Sequence, residues 1–124
     1  MSNIRLVPAG DAVRAGMNPS AYVTAEAHRA GTPNEKEAGH LTSADEAFTV
    51  GIWSADPYAE WVTDHAGYEY TFVLEGQVTL TGEDGAAHTF VAGEAFTIEP
   101  GWTGEYRVDE PLLKHFVFYA PEKD

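Results

Sequence analysis

The chain has no cysteine among its 124 residues. That excludes disulfides, thiolate metal ligands and a cysteine nucleophile together. Positive charge is scarce as well: seven Lys and Arg stand against twenty Asp and Glu, for a formal net charge of −13. Such a surface repels phosphate backbones and anionic headgroups, so neither nucleic acid nor a membrane is expected as a partner. The same surplus keeps a small domain soluble. No apolar run approaches the ~20 residues that span a bilayer. The start, MSNIRLVPAGDAV, lacks the basic-then-apolar build of a signal peptide. A cytoplasmic, single-domain protein is the expectation.

What is present falls into two textures. Residues 1–47 mix Pro, Gly, Ala and charge without a sustained period. Tyr22, Val23 and Leu41 make this stretch too apolar for a free tail, so it reads as an N-terminal arm packed on the domain. Alanines and glutamate favour a helical turn around Tyr22 to Arg29, ended by GTPN. Residues 48–121 are different. AFTVGIW, AEWVTDH, YEYTFVLEG, QVTLTG, AFTIEP and LLKHFVFYAP are short, rich in β-branched and aromatic residues, and punctuated by Gly, Pro or Asp. GEDGA carries an Asp-Gly hairpin turn. These features predict an all-β fold, an antiparallel sandwich or barrel, with 122–124 as a short tail.

Side-chain parity points to a functional interior. Trp61, Thr63, His65, Glu69, Thr71 and Val73 share one face if the strand runs without a bulge, and Tyr70, Phe72 and Leu74 take the other. One face is polar and chemically capable; the other is greasy. At this level His65 and Glu69 are equally compatible with a solvent-facing pair.

The spacing of these residues resembles that of a cupin. The first cupin motif runs G-x5-H-x-H, three or four residues, E, six residues, G. Here His65 stands in the second histidine's place, Glu69 and Gly76 follow at the motif's spacing, and Thr63 occupies the first histidine's place. The second motif, G-x5-P-x-G-x2-H-x3-N, maps onto GEAFTIEPGWTGEYRV. Gly93 opens it and Gly101 closes the turn, while Pro100 is displaced by one, Gly104 replaces the third histidine and Val108 the asparagine. The GWTGEY turn and Lys114 after a Glu-Pro pair are most similar to small cupins grouped with ureidoglycine aminohydrolase and ethanolamine-utilisation proteins. The resemblance, over roughly 48–121, implies an antiparallel jelly-roll-like cupin barrel with an N-terminal arm. Leaving the apolar row Tyr70, Phe72 and Leu74 in water would be unfavourable, so a second copy, or an arm exchanged from it, is the expected cover, giving a homodimer as in many small cupins.

His65 and Glu69 are suitable ligand types for a divalent transition metal, but catalytic sites usually use three protein ligands. Two ligands predict at most a weakly held metal and no tightly bound cofactor; a hydrogen-bonded pair inside the barrel is the alternative. Tyr106, two residues past the missing histidine, would share its face, either donating to a bound carboxylate or carbonyl or simply filling the barrel. Trp61, Thr63 and Trp102 are candidate pocket walls. Lys114 and His115 point to opposite faces; a buried Lys114 near Glu69 would serve as a carboxylate clamp or base. His28, His40 and His88 sit in loop or turn contexts and read as solvated. The resulting expectation is a protein that binds a small polar metabolite, nitrogenous or carboxylated, in the barrel. His65, Glu69, Tyr106 and Lys114 would contact it and, if the protein is an enzyme, hydrolyse or isomerise it. Its rivals are a non-catalytic effector or storage module and a structural dimer with a vestigial pocket.

Overall fold

The computed structural model describes residues 3–121, so the tail at 122–124 lies outside the described residues. The strands are β1 (Asn18–Pro19), β2 (His28–Gly31), β3 (Lys36–Thr42), β4 (Phe48–Ala55), β5 (Tyr58–Val62), β6 (Tyr68–Gly82), β7 (Ala87–Val91), β8 (Ala95–Ile98) and β9 (Gly104–Tyr119). A 3-10 turn at Gly10–Ala12 is the only helical element among the described residues. No described helix is long and apolar enough to cross a membrane. All strand pairs are antiparallel, and the sheet curls into a jelly-roll barrel.

The long strands β6 and β9 organise the barrel. They pair along almost their whole length, from Tyr68↔Tyr119 to Gly82↔Gly104. The other edge of β9 takes β5 along its first half and β4 along its second. YEYTFVLEG and QVTLTG, two segments in the sequence, are thus one strand. Its register slips between Val73 and Val78, which moves the inward set from Glu69, Thr71 and Val73 to Val78 and Leu80. Gly76 makes the slip feasible: its φ is +89°, and a Cβ there would collide with the carbonyl oxygen of Pro111. Below the slip Val78, Leu80, Val108 and Leu112 close a dry core with Trp53 and Ile98. Above it the barrel stays open.

The first 47 residues contribute to the same sheet. β3 lies on β4 and β2 on β5, so arm and barrel share backbone ladders. The helical turn expected around Tyr22 to Arg29 is reduced to one hydrogen-bonded turn, His28 N donating to Thr24 O at 3.0 Å. Pairing with the free edge of β5 captures His28–Gly31 as a strand instead. The carboxylate of Glu35, 6% exposed, fastens the preceding segment: it accepts from Ser20 Oγ, Tyr22 N, Val23 N and Trp53 Nε1. Burial raises its pKa, but those donors outweigh it and hold the group ionised.

Candidate functional site

The open end of the barrel encloses a cavity of about 210 Å³. Alternation along β6 and β9 supplies its polar floor, with Glu69 from one strand, backed by the fully buried Thr71, and Tyr106 and Lys114 from the other. His65 arrives differently. It sits in the 63–67 loop, where Asp64 adopts φ +51°, and the 99–103 turn clasps that loop on both sides. His65 N donates to Trp102 O at 2.9 Å, Gly101 N to His65 O at 2.9 Å, and Asp64 N to Thr103 Oγ1 at 2.9 Å. The GWTG turn therefore positions the histidine while lying outside the cavity itself.

The floor is a connected chain of buried groups. Glu69 accepts from Thr71 Oγ1 at 2.7 Å and from Lys114 Nζ at 3.1 Å, both on Oε2. Its Oε1 lies 3.3 Å from His65 Nε2. Lys114, 8% exposed, also donates to Tyr106 OH at 3.1 Å, and its ammonium stands 5.1 Å from the Trp53 ring centroid. Burial pushes the Glu69 carboxyl up, but the Lys114 ammonium and the bonds from His65 and Thr71 win and hold it at about 2. Lys114 is the mirror case: burial lowers its pKa, and Glu69 and Tyr106 raise it further than burial lowers it. His65 Nδ1 lies 2.7 Å from Gly67 O, an acceptor only, so that nitrogen carries a proton. With an ionised carboxylate at Nε2, both nitrogens face acceptors, and imidazolium satisfies both. Burial opposes this charge, yet Glu69 and the Gly67 carbonyl raise the pKa overall.

A cupin metal does not fit this arrangement. A metal ligand must offer a lone pair, whereas His65 has both nitrogens turned to oxygen acceptors. Glu69 already accepts from an ammonium, a hydroxyl and the imidazole, three of its roughly four acceptor positions. No group of three or more His, Asp or Glu is placed to hold an ion among the described residues. At position 104 a side chain has no room: a Cβ would collide with Thr81 O and approach Trp102 Cζ2 to 2.7 Å. Gly104 is there for close packing of the turn on β6.

Of the other residues singled out in the sequence, Trp61, Thr63 and Trp102 do not line the cavity. The parity that placed Trp61 and Thr63 with His65 assumed one continuous strand, but β5 ends at Val62 and the 63–67 loop resets the alternation. Thr63 is exposed, and Trp102 packs against the core beside a separate depression with Leu80, Phe90 and Phe96. Nor is His40 solvated: its Nε2 is buried without a partner, and its ring meets His115 edge-on at 6.2 Å. His28 and His88 are exposed. His115 points outward and Lys114 inward. Sequence reasoning missed Tyr58, Glu60, Trp53, Phe116 and Phe118, all on the cavity wall. The alternation Tyr58, Glu60, Val62 carried the signal for the first two, on the parity opposite to the one followed.

Known families and solved structures agree with this fold. A family model described as the EutQ-like cupin domain matches residues 42–116. Among solved structures, the chain is similar to a putative ethanolamine utilization protein Q from Salmonella typhimurium, with TM-score 0.61 at 19% identity over 71% of each chain. It is similar to a Pseudomonas syringae protein of unknown function, with TM-score 0.78 at 19% identity, covering 84% of this chain and 44% of that one. The EutQ protein of Clostridium difficile matches with TM-score 0.60 at 16% identity over 83% of each chain. At these identities the likeness is one of fold. No curated protein matches the chain.

Proposed function

The chain belongs to the EutQ-like cupin domain family, and from that premise we propose that its barrel cavity binds a small polar metabolite. The observation that carries this reading is the buried chain His65–Glu69–Lys114–Tyr106 lining a cavity at the open end of the barrel. A domain that needed only a core would fill that end with apolar side chains, as the other end does, since burying charges is unfavourable without a role for them. Conversion of the ligand, by hydrolysis or isomerisation, would draw on the His65 imidazolium and the Tyr106 hydroxyl as proton donors. A thermal-shift scan of small acids, amines, amides and amino acids tests the binding reading, because a ligand selective for the native state raises its apparent stability. Absence of any hit would favour a structural protein with a vestigial pocket.

A second reading concerns assembly. Tyr68, Tyr70 and Tyr119 are about half exposed on the outer face, with Leu41 beside them at 47%. Together with Phe72, Leu74, Val50 and Val117 on the same side they form an apolar surface that a second copy of the chain would cover, giving a homodimer. Light scattering at micromolar concentration checks this; a mass near 13.5 kDa would refute it.

A further inference from the structure

The polar floor leaves one buried carboxyl aside. Glu60 on β5 is 7% exposed, faces the cavity, and accepts one hydrogen bond, from Tyr58 OH to its Oε2. Its Oε1 has no donor among the described residues. That oxygen is not shut away from solvent, since among the described residues only His40 Nε2 is buried without a partner, so it is open to a hydrogen-bond donor that enters from the cavity.

The surrounding charges indicate the sign of that partner. Glu37, Glu60 and Glu69 all line the cavity, and Glu35 stands close behind Trp53. Against these four carboxyls there are two cationic groups, Lys114 and His65, and both are engaged with Glu69. None is left for Glu60. Burial raises its pKa, the Tyr58 bond and Lys114 lower it, and Glu35 and Glu69 raise it again, with a net upward direction. Burial is the main cause, and the Tyr58 bond and the Lys114 charge do not offset it. The rest of the wall is aromatic, including Tyr58, Phe116 and Phe118. Ring faces attract ammonium groups, a relation that Lys114 already has with Trp53 and Tyr106.

We propose that the cavity takes a small organic cation, a primary or secondary ammonium on a compact apolar body, with Glu60 Oε1 accepting its N–H and the aromatic wall receiving its carbon atoms. This deepens the metabolite-binding reading and rests on it. It reverses the expectation that Lys114 selects an anionic ligand, because that ammonium is committed to Glu69. The size follows from the volume: about 210 Å³ corresponds to roughly seven waters at ~30 Å³ each, below the ~300 Å³ at which drug-sized sites begin.

A matched set of butylammonium, butyrate and butyramide tests the proposal by varying only the head group. Binding is read by thermal shift and by NMR of protein labelled with ¹³C at the glutamate carboxyls. Butylammonium should bind about tenfold or more tightly than butyrate, as one charge-assisted hydrogen bond predicts, and should move the Glu60 Cδ resonance. Glu60→Gln should lose that advantage. If the variant does not fold, the Glu60 resonance of the wild type decides. Tighter binding of butyrate, or an amine that binds without moving that resonance, overturns the proposal and leaves the metabolite-binding reading standing. No binding of these probes or of any compound in the broader scan removes both.

Discussion

The two faces of β6 and β9 obey different rules. On the inner face Glu69, Thr71, Tyr106 and Lys114 are bonded to one another in a low-dielectric pocket. On the outer face of the same strands Tyr68 stacks on Tyr119 at 6.2 Å, and Tyr70 lies opposite Val117. One strand pair thus buries the Glu69–Lys114 ion pair and exposes Tyr68, Tyr70 and Tyr119, the reverse of a simple globular sheet at these positions. The inner charges persist because each has a hydrogen-bonded counter-charge. The outer aromatics have no such compensation within one chain. The inner face is therefore where substitutions act through electrostatics, and the outer face is where, in the proposed dimer, they would act through association.

The largest expected effect comes from breaking the inner pair. Lys114→Met would leave Glu69 buried without its ammonium, a loss of about 3–5 kcal/mol. Urea denaturation should show it, and a variant within 1 kcal/mol (about fivefold in the folding constant) of the wild type would mean that Lys114 reaches solvent. A lysine that served only as a clamp for an incoming carboxylate could be removed with little change in stability.

Acid sharpens the same comparison. The Glu69 carboxyl lies at about 2 in the folded protein, against a reference value of 4.5. Its contribution is fully present above pH 4.5 and is lost as the pH falls toward 2, to the extent of roughly 3 kcal/mol. Glu69→Gln lacks this group. The stability gap between wild type and variant should therefore shrink between pH 5 and pH 2 in chemical denaturation. A gap that is constant with pH would contradict the ion pair.

A smaller loss is expected at the turn that holds His65. Gly104→Ala forces a methyl against Thr81 O and the Trp102 ring, an overpacking that typically costs about 1–3 kcal/mol. Gly104→His should be worse and should gain no affinity for Zn²⁺ or Ni²⁺, as elemental analysis after dialysis would report. A folded histidine variant holding stoichiometric metal would mean that the turn can open and that His65 can give up its proton.

The smallest change in folding should come from the outer face. Tyr70→Ser removes a 45% exposed ring, and monomer stability should shift by no more than about 0.5 kcal/mol. Its sedimentation mass should nevertheless fall from dimer to monomer. An unchanged dimer would move the interface elsewhere.

The fold was legible in the chain itself. Strand texture, the Asp-Gly turn and the cupin spacing specified an antiparallel barrel, because side-chain period and turn chemistry are local properties. Alternation within YEYTFV separated Glu69 and Thr71 from Tyr70 and Phe72 correctly, since no bulge intervenes before Val73. Other features needed the tertiary structure. Alternation could not be carried from Trp61 to His65, because a loop with Asp64 at positive φ breaks it. Glu60 looked like an ordinary acidic residue on a strand until the curl of the sheet turned it toward Lys114. Whether His65 offers a lone pair or a proton was decided by Gly67 O and Glu69 closing on its two nitrogens. Residue type and spacing are written along the chain, but protonation state depends on which charges meet across the barrel, and that is set only when β6 and β9 pair.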